Sequence, residues 1–484
     1  MPVLSTPGFE LQPSAQQVAL ASNYITNFDF LNQYLPDTYE KEFERYGNRT
    51  VSSFLRMVGA EMPTNSDLIK WAEQGRLHTK YTACTLGSHT GAETTQTITI
   101  PTNQVNTNVS GASTAPANGF TAIRVGQTVM ISDETPGSTL SNKAVVTNTS
   151  GSTTPYTITV AYYEATQAAF AATSTVSVFV YGSEFAKGTN GMDGSLEAQD
   201  LIFDNKPIIL KDNYQVNGSD MAQIGWVEIS TENGASGYLW YLKSEHETRL
   251  RFDDYIETAM VEAVPAVAGS GASTALAGGL AGQAGSEGVF HAVKTRGNVW
   301  SGGNPVALAG FDSIIQRLDK QGAIEENVLF VNRDFSFDID DMLAAQNSYG
   351  AGGTSYGLFD NDEEMALNLG FSGFRRGYDF YKSDWKYLND PTMRGGLIGG
   401  KISGLMVPAG STTVYDQILG KNAKRPFLHV RYRASETEDR RYKTWITGSA
   451  GGARTTDLDA MRVNFLSERA VCTMGANNFF LFEN

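Results

Sequence analysis

The chain has 484 residues, more than one hydrophobic core usually serves, so two or three domains are expected. Hydrophobic residues make up 41% of the sequence, which excludes a largely disordered chain. The formal net charge of -15 argues against a surface that neutralises phosphates, and therefore against tight nucleic-acid binding.

Membrane anchoring and disulfide chemistry are not expected. The sequence begins without a basic stretch followed by an apolar one, and it contains no run of about 18 apolar residues. We therefore predict a protein that is made in a cytoplasm and has no membrane anchor. Cys84 and Cys472 lie too far apart in sequence for a metal-ligand spacing, and two cysteines do not make a disulfide framework. Reduced, buried thiols are the simpler expectation.

The first predicted elements are short helices over residues 14 to 75. The segment Thr64–Trp71 predicts a helix start, because small polar side chains can cap the first amides and Asp67 complements the helix dipole. This helix is expected to end at Gly75.

A separate module follows, in which Thr, Ser, Asn, Gly and Ala dominate from about Thr85 to Ser183. Short β-branched runs recur between turns that contain glycine, at residues 97–100, 129–131, 145–147, 156–160 and 176–180. This pattern predicts a small all-β barrel or sandwich inserted into the host domain. The module is either a contact element or a loop insertion that the fold tolerates.

The longest predicted helix runs from Gly237 to Ala263 and is stopped by Pro265. Its outer faces alternate in charge, which indicates either a solvated surface or charge pairing between copies of the chain. For the second interpretation we predict four intersubunit contact residues: Arg249, Arg251, Asp253 and Asp254. Seven glycines between Gly269 and Gly288 then predict a flexible loop.

The second half predicts an α+β domain, because helix and strand patterns alternate without a regular βαβ order. Helices are predicted at Phe311–Gln321, from Asp338 onward and at Thr412–Gly420, and a buried strand at 327–331. Three extended C-terminal segments are predicted at residues 427–432, 442–447 and 470–482.

No catalytic, cofactor or metal site is predicted. Gly395–Ile402 has the frame of a phosphate loop, but Ile402 stands where a magnesium-binding hydroxyl is required, so a turn is the better interpretation. The runs Gly271–Ala275 and Ala284–Gly288 each lack one glycine of a nucleophile elbow. The five histidines are scattered along the sequence, and none of them forms the His-x3-His spacing of a helical zinc site. They are His78, His89, His246, His291 and His429.

Two acidic clusters could hold a divalent cation or act as paired carboxylates, but acids at helix starts explain both more simply. They are Asp338/Asp340/Asp341 and Asp360/Asp362/Glu363/Glu364. These near-misses lower the expectation that the chain is an enzyme.

The order of these elements resembles that of tailed-phage major capsid proteins with the Hong Kong 97-like fold. The C-terminal segment Met461–Phe482 looks like the returning strands of such shells, and Phe330–Asp334 and Tyr381–Asp390 are similar to segments of crAss-like phage capsid proteins. The resemblance covers roughly residues 190 to 484. It implies an α+β Hong Kong 97-like capsid fold with N-arm, extended loop, spine helix, and peripheral and axial domains, plus the inserted small all-β module.

The resemblance also implies a domain layout and a function. The N-terminal arm would be 1–48, the extended-loop region 49–85 and 187–235, the β-module 86–186, the peripheral domain with the spine helix 236–305, the axial domain 306–425 and the C-terminal strands 426–484. The chain would assemble into hexamers and pentamers of an icosahedral head that encloses double-stranded DNA without sequence-specific binding. Its partners would be itself, a portal protein, and scaffold, minor or cement proteins. It would assemble in the host cytoplasm and reside in the virion.

Two other hypotheses stay open. A tail component or adhesin would use the Thr/Ser-rich module to bind carbohydrate. An enzyme would need a site assembled only by the tertiary fold, with strongly perturbed pKa values.

Overall fold

A computed structural model of the chain describes residues 60–74, 78–87, 89–104, 121–150, 156–170, 175–193, 200–222, 229–230, 236–237, 240–274, 284–321, 324–347, 373–416, 421–452 and 454–483. The predicted helices before residue 60 and the cluster Asp360/Asp362/Glu363/Glu364 lie outside these ranges.

The described residues include both strands and helices. The strands are β1 (Ala60–Thr64), β2 (Ile69–Gln74), β3 (Lys80–Leu86), β4 (Thr95–Ile100), β5 (Gln127–Asp133), β6 (Ser141–Ser150), β7 (Tyr156–Tyr162), β8 (Thr175–Ser183), β9 (Asp200–Asn205), β10 (Ile208–Asn217), β11 (Ile229–Ser230), β12 (Ser236–Gly237), β13 (Asn298–Trp300), β14 (Glu326–Val331), β15 (Gly373–Arg376), β16 (Tyr378–Asp384), β17 (Ile402–Pro408), β18 (Ser411–Asp416), β19 (Lys421–Pro426), β20 (Leu428–Arg433), β21 (Lys443–Gly448), β22 (Ala460–Thr473) and β23 (Phe480–Glu483). The α-helices are α1 (Gly218–Met221), α2 (Trp240–Glu262), α3 (Gly271–Thr274), α4 (Val289–Arg296), α5 (Leu308–Gln321), α6 (Arg333–Asn347) and α7 (Lys386–Asn389).

The chain divides into two compact units, which we name the barrel unit (Ala72–Ile202) and the larger unit (Met1–Trp71 with Phe203–Asn484). The architecture is mixed α+β with several sheets. None of the helices in the described part of the chain is long and apolar enough to cross a membrane.

The barrel unit contains a closed barrel with the strand order β3-β4-β7-β6-β5-β8. Alternate side chains of its strands point inward and fill the core, because successive residues of a strand face opposite sides. Ile98, Val129, Ile158 and Val178 are fully buried there. The β-branched runs predicted as strands are therefore strands, and Cys84 is a buried free thiol among them.

The larger unit contains a five-stranded sheet with the order β1-β20-β22-β10, in which β21 also pairs with β22. The parallel β1–β20 pair joins Ala60 to His429, and the antiparallel β10–β22 pair joins Ile208 to Arg469. Strands from the two ends of the described chain therefore share one sheet. Cys472 lies in β22 and is also a buried free thiol.

A second sheet of the larger unit has six strands in the order β13-β23-β17-β14-β16-β15. Helices α5 and α6 contribute apolar side chains to its core, including Phe311 and Phe335, which are fully buried. Phe335 packs edge-on against Phe482 of β23, with ring centroids 4.9 Å apart. The chain passes from β22 in the first sheet to β23 in the second through a turn at Gly475, whose φ of 60° suits glycine.

The predicted helix from Thr64 to Gly75 is wrong, since residues 69–74 form β2, which pairs with β9. Ile69 is buried, and the Trp71 ring lies 6.3 Å from that of Phe203. Tertiary pairing outweighs the local capping pattern here, because that pattern supplies only a weak preference.

The helix predicted at Thr412–Gly420 is also wrong, because residues 411–416 form β18 and pair with β19. The β-branched run at 412–414 favours a strand, which accounts for the difference. The helix predicted from Asp338 begins earlier, at Arg333. The Asn332 side chain caps it by accepting a hydrogen bond of 2.8 Å from the N–H of Phe335.

Candidate intersubunit surface

The long helix α2 is the longest helix of the described chain, and it packs on the five-stranded sheet. It has 23 residues and is therefore about 35 Å long. Phe252 and Ile256 are buried one turn apart and pack against Val216 of β10 and Phe465 of β22. This helix and the two strands form the element that we name the α2–sheet layer.

The four predicted contact residues lie along α2 and differ in their exposure. Arg249 and Arg251 are exposed, whereas Asp253 and Asp254 are half-buried. Burial raises the pKa of Tyr442 to about 12, with Asp253 adding to the rise and Arg249 opposing it, so both charges lie near this tyrosine of the same chain. The role of the four residues between subunits stays a prediction.

An apolar groove of about 510 Å³ lies between α2 and β10 and was not predicted. Tyr255 on α2 is 49% exposed at this groove. The groove is lined by Leu210, Lys211, Phe252, Tyr255, Thr258, Ala259, Glu262 and Ala263. The sequence does carry a pattern for it, because Tyr255 and Ala259 widen the apolar stripe of the helix beyond the face that packs on the sheet.

Strand β10 also ends the five-stranded sheet, with β22 as its only partner among the described strands. No described strand takes up the backbone N–H and C=O groups along its other edge. An exposed strand edge beside an apolar groove can accept another chain through both hydrogen bonds and apolar contacts.

A second apolar feature is the turn from Pro391 to Lys401, which is fixed at its base. Glu262 at the end of α2 accepts hydrogen bonds from the Tyr387 hydroxyl at 2.8 Å and from Arg394 Nη1 at 2.7 Å. Arg394 also donates to the carbonyl of Gly400 at 3.0 Å. The turn holds Ile398 at 94% exposure, which is a large apolar side chain in water on a constrained support.

The segments that nearly match catalytic motifs have structural roles. Gly395–Ile402 follows α7 and ends at the first residue of β17, whereas a phosphate loop requires a strand directly before it. Ser286 is buried and donates to the Asn205 side chain at 3.1 Å, and Ser273 donates to the carbonyl of Ser270 at 3.0 Å. Neither serine stands on the exposed turn that a nucleophile elbow needs.

The acidic cluster near Asp338 serves side-chain contacts within the chain. Asp338 accepts a hydrogen bond from Asn304 at 2.7 Å, and Asp340 forms a nearly buried ion pair with Lys382 at 2.5 Å. Within the described ranges, no group of three or more His, Cys, Asp and Glu residues could hold a metal ion.

The comparisons with known proteins identify similar solved structures but no family. No protein-family model matches the sequence, and no curated protein matches it. The chain is similar to a chain of Microbacterium phage Oxtober96, with 9% identity and a TM-score of 0.37 over 95% of this chain and 99% of that one. It is similar to a chain of the capsid of a native GTA particle, with 8% identity and a TM-score of 0.37 over 96% and 99%. A capsid chain of cyanophage P-SCSP1u gives 9% identity and a TM-score of 0.33 over 63% and 80%. These TM-scores lie below 0.5, so the likenesses do not establish a shared fold.

Proposed function

We propose that this chain is the major capsid protein of a tailed bacteriophage and that its activity is self-assembly. The observation that carries the proposal is the α2–sheet layer, which combines an apolar groove, half-exposed Tyr255 and an edge of β10 with which no described strand pairs. Large apolar side chains rarely lie together in water on a protein that works as a monomer. A second copy of the chain is the partner that this surface fits.

The finer form of the proposal is the Hong Kong 97-like arrangement. In it, α2 is the spine helix, the five-stranded sheet belongs to the peripheral domain, and the six-stranded sheet belongs to the axial domain. Many modest contacts between identical copies add up through closed symmetry to hexamers and pentamers. The net charge of -15 suits a wall that encloses DNA without binding it tightly. A portal protein and scaffold, minor or cement proteins would complete the head.

Electron microscopy and light scattering of the purified full-length chain test the proposal. We expect rings or closed shells from the unaltered chain, expressed alone and together with the scaffold gene of its source. Tyr255→Asp should abolish them, because a charge in the groove must be desolvated on contact. The variant should remain folded, since surface substitutions usually change stability by less than about 0.5 kcal/mol.

Thr444→Asp is the matched control, because Thr444 is an exposed residue of β21, which pairs with β22 in the same sheet. It should assemble as the unaltered chain does. A chain that stays monomeric in both expression conditions, or shells that Tyr255→Asp leaves intact, would contradict the proposal.

A further inference from the structure

The barrel unit presents two tyrosines whose rings are nearly half in water. Tyr163 directly follows β7 and is 46% exposed, and Tyr181 in β8 is 47% exposed. Tyrosine is the aromatic residue that combines a flat apolar face with a polar end. Two such rings near each other on a barrel wall are suited to a ligand that is itself partly apolar and partly polar.

Local backbone structure orients Tyr181. The pairing of β5 with β8 joins Thr128 to Gly182 and then Val129 to Val180, so Tyr181 is an additional residue with no partner opposite it. Such a bulge bends a strand and redirects the side chain at that position. The orientation of Tyr181 is therefore built into the register of the barrel.

A carboxylate fixes the other ring. The Tyr163 hydroxyl donates a hydrogen bond of 2.5 Å to Glu184. Partial burial, this hydrogen bond and nearby Tyr181 raise the pKa of Tyr163 to about 12, so the phenol stays protonated at neutral pH. A ring that is already held in place loses less conformational entropy when a ligand stacks on it.

A groove of about 540 Å³ lies along these residues. It is lined by Thr128, Lys143, Tyr163, Glu164, Tyr181, Gly182, Ser183 and Glu184. The Lys143 Nζ atom lies 5.9 Å from the centre of the Tyr181 ring. The lining therefore offers an ammonium donor, carboxylate acceptors and hydroxyls that both donate and accept, next to two aromatic faces.

Thr128 supplies an independent observation. It is only 5% exposed, and its hydroxyl oxygen has no hydrogen-bond partner among the residues that the structure describes. A buried hydroxyl without a partner costs free energy. Gly182 packs closely beside this hydroxyl, since a Cβ atom at position 182 would lie only 3.2 Å from Thr128 Oγ1.

We propose that this groove binds a neutral pyranose oligosaccharide. A pyranose ring has an apolar C–H face that stacks on a tyrosine ring and a rim of hydroxyls that need both donors and acceptors. Two carboxylates and one ammonium leave the groove with a net negative charge, which disfavours sialylated or uronic sugars. The proposal does not depend on the proposed self-assembly, because all its residues lie in the barrel unit.

Saturation-transfer NMR on the full-length chain tests the inference, with cellotetraose, chitotetraose, maltotetraose and mannotetraose as the probes. We expect transfer to the C–H protons of at least one of them, and affinity reduced by at least about tenfold in Tyr181→Ala and in Tyr163→Ala. Tyr181→Phe keeps the aromatic face and should retain binding. Tyr381→Ala, which removes an equally exposed tyrosine of the larger unit, should have no effect.

Three results would overturn the inference: no transfer to any of the four probes, binding that survives both alanine substitutions, or displacement of the sugar by a proline-rich peptide that binds the same tyrosines more tightly. The last outcome would assign the groove to polyproline recognition. Failure of sugar binding with intact shells would leave the proposed assembly standing, so the two proposals are tested separately.

Discussion

The barrel unit and the larger unit differ in how far along the chain their contacts reach. All the barrel strands lie between Lys80 and Ser183, and closure of the barrel pairs both edges of every strand. The larger unit instead pairs β1 with β20 and β10 with β22, which joins segments hundreds of residues apart and leaves one edge of β10 without a partner among the described strands. Local pairing thus yields a self-sufficient module, whereas long-range pairing yields the surfaces that we assign to assembly.

The largest expected effect comes from removing a core side chain of one unit only. Phe480 is fully buried in β23, so Phe480→Ala should lower the unfolding free energy of the larger unit by about 3 to 5 kcal/mol. All six tryptophans lie outside residues 72–202, so tryptophan fluorescence during urea unfolding reports on the larger unit alone.

Ile158→Ala is the matched change in the barrel core, where Ile158 is fully buried. It should leave the tryptophan transition where it is and shift only the barrel transition, measured by calorimetry. If Phe480→Ala and Ile158→Ala both move both transitions together, the two units do not unfold separately and the comparison fails.

The two cysteines place one thiol in each unit and allow their opening to be compared directly. Burial raises the pKa of Cys84 and of Cys472 to about 12, from an ordinary value of 9.0. The native thiols should therefore react with iodoacetamide at pH 8 about a thousandfold more slowly than in the unfolded chain. Cys472→Ala leaves Cys84 to report on the barrel, and Cys84→Ala leaves Cys472 to report on the larger unit. Rapid labelling of either native variant would show that its unit opens readily.

The same thiols predict how stability depends on pH. Because the pKa is higher in the folded state, folding favours the protonated thiol. The thiols therefore add to the free energy of unfolding in full below about pH 9, and this stabilisation is lost as the pH rises toward about 12. The urea midpoint should fall over that window, and Cys84→Ala should weaken the decline for the barrel alone. A midpoint that rises with pH there would contradict the direction of the shift.

A smaller effect is expected at the base of the exposed turn. Glu262→Ala removes the acceptor of Tyr387 and Arg394, and Arg394 is only 14% exposed at its side chain. Leaving these donors without an acceptor should cost about 2 to 3 kcal/mol in the tryptophan transition. Glu262→Gln keeps an acceptor oxygen and should recover roughly half of the loss. Equal losses in both variants would mean that packing, and not hydrogen bonding, holds the turn.

The sequence predicts the barrel better than the larger unit, for a physical reason. Alternating β-branched runs such as Tyr156–Val160 carry their strand preference locally, and their partners are close in sequence. The conformation of Ile69–Gln74 is instead set by pairing with β9 and by the contact of the Trp71 ring with the tilted Phe203 ring, neither of which a local pattern contains. The start of α6 at Arg333 could have been predicted from local residues, because Asn332 is a favoured helix cap and Asp334 complements the dipole in the first turn.

The candidate surfaces were less predictable than the secondary structure. The charges on α2 could be read from the sequence, but the groove beside Tyr255 exists only because β10 pairs with β22 and places Leu210 next to the helix. The role of Glu262 likewise depends on Arg394, which is 132 residues further along the chain. Helical periodicity predicts which face of a helix carries a side chain, but it does not predict which distant residue that side chain contacts.

The smallest expected effect lies inside the barrel and sharpens the claim that its core is self-sufficient. His89 is only 5% exposed, neither of its ring nitrogens has a hydrogen-bond partner among the described residues, and its ring packs against Tyr162 and Phe170. His89→Phe keeps an aromatic ring and removes two buried polar atoms, so it should stabilise the barrel by about 1 kcal/mol. Slower labelling of Cys84 in the Cys472→Ala background measures this gain, and His89→Ala, which loses the ring contacts, should speed the labelling. If His89→Phe also speeds the labelling of Cys84, the histidine nitrogens have a hydrogen-bond partner that stabilises the barrel. The barrel core would then depend on a contact beyond its own described residues.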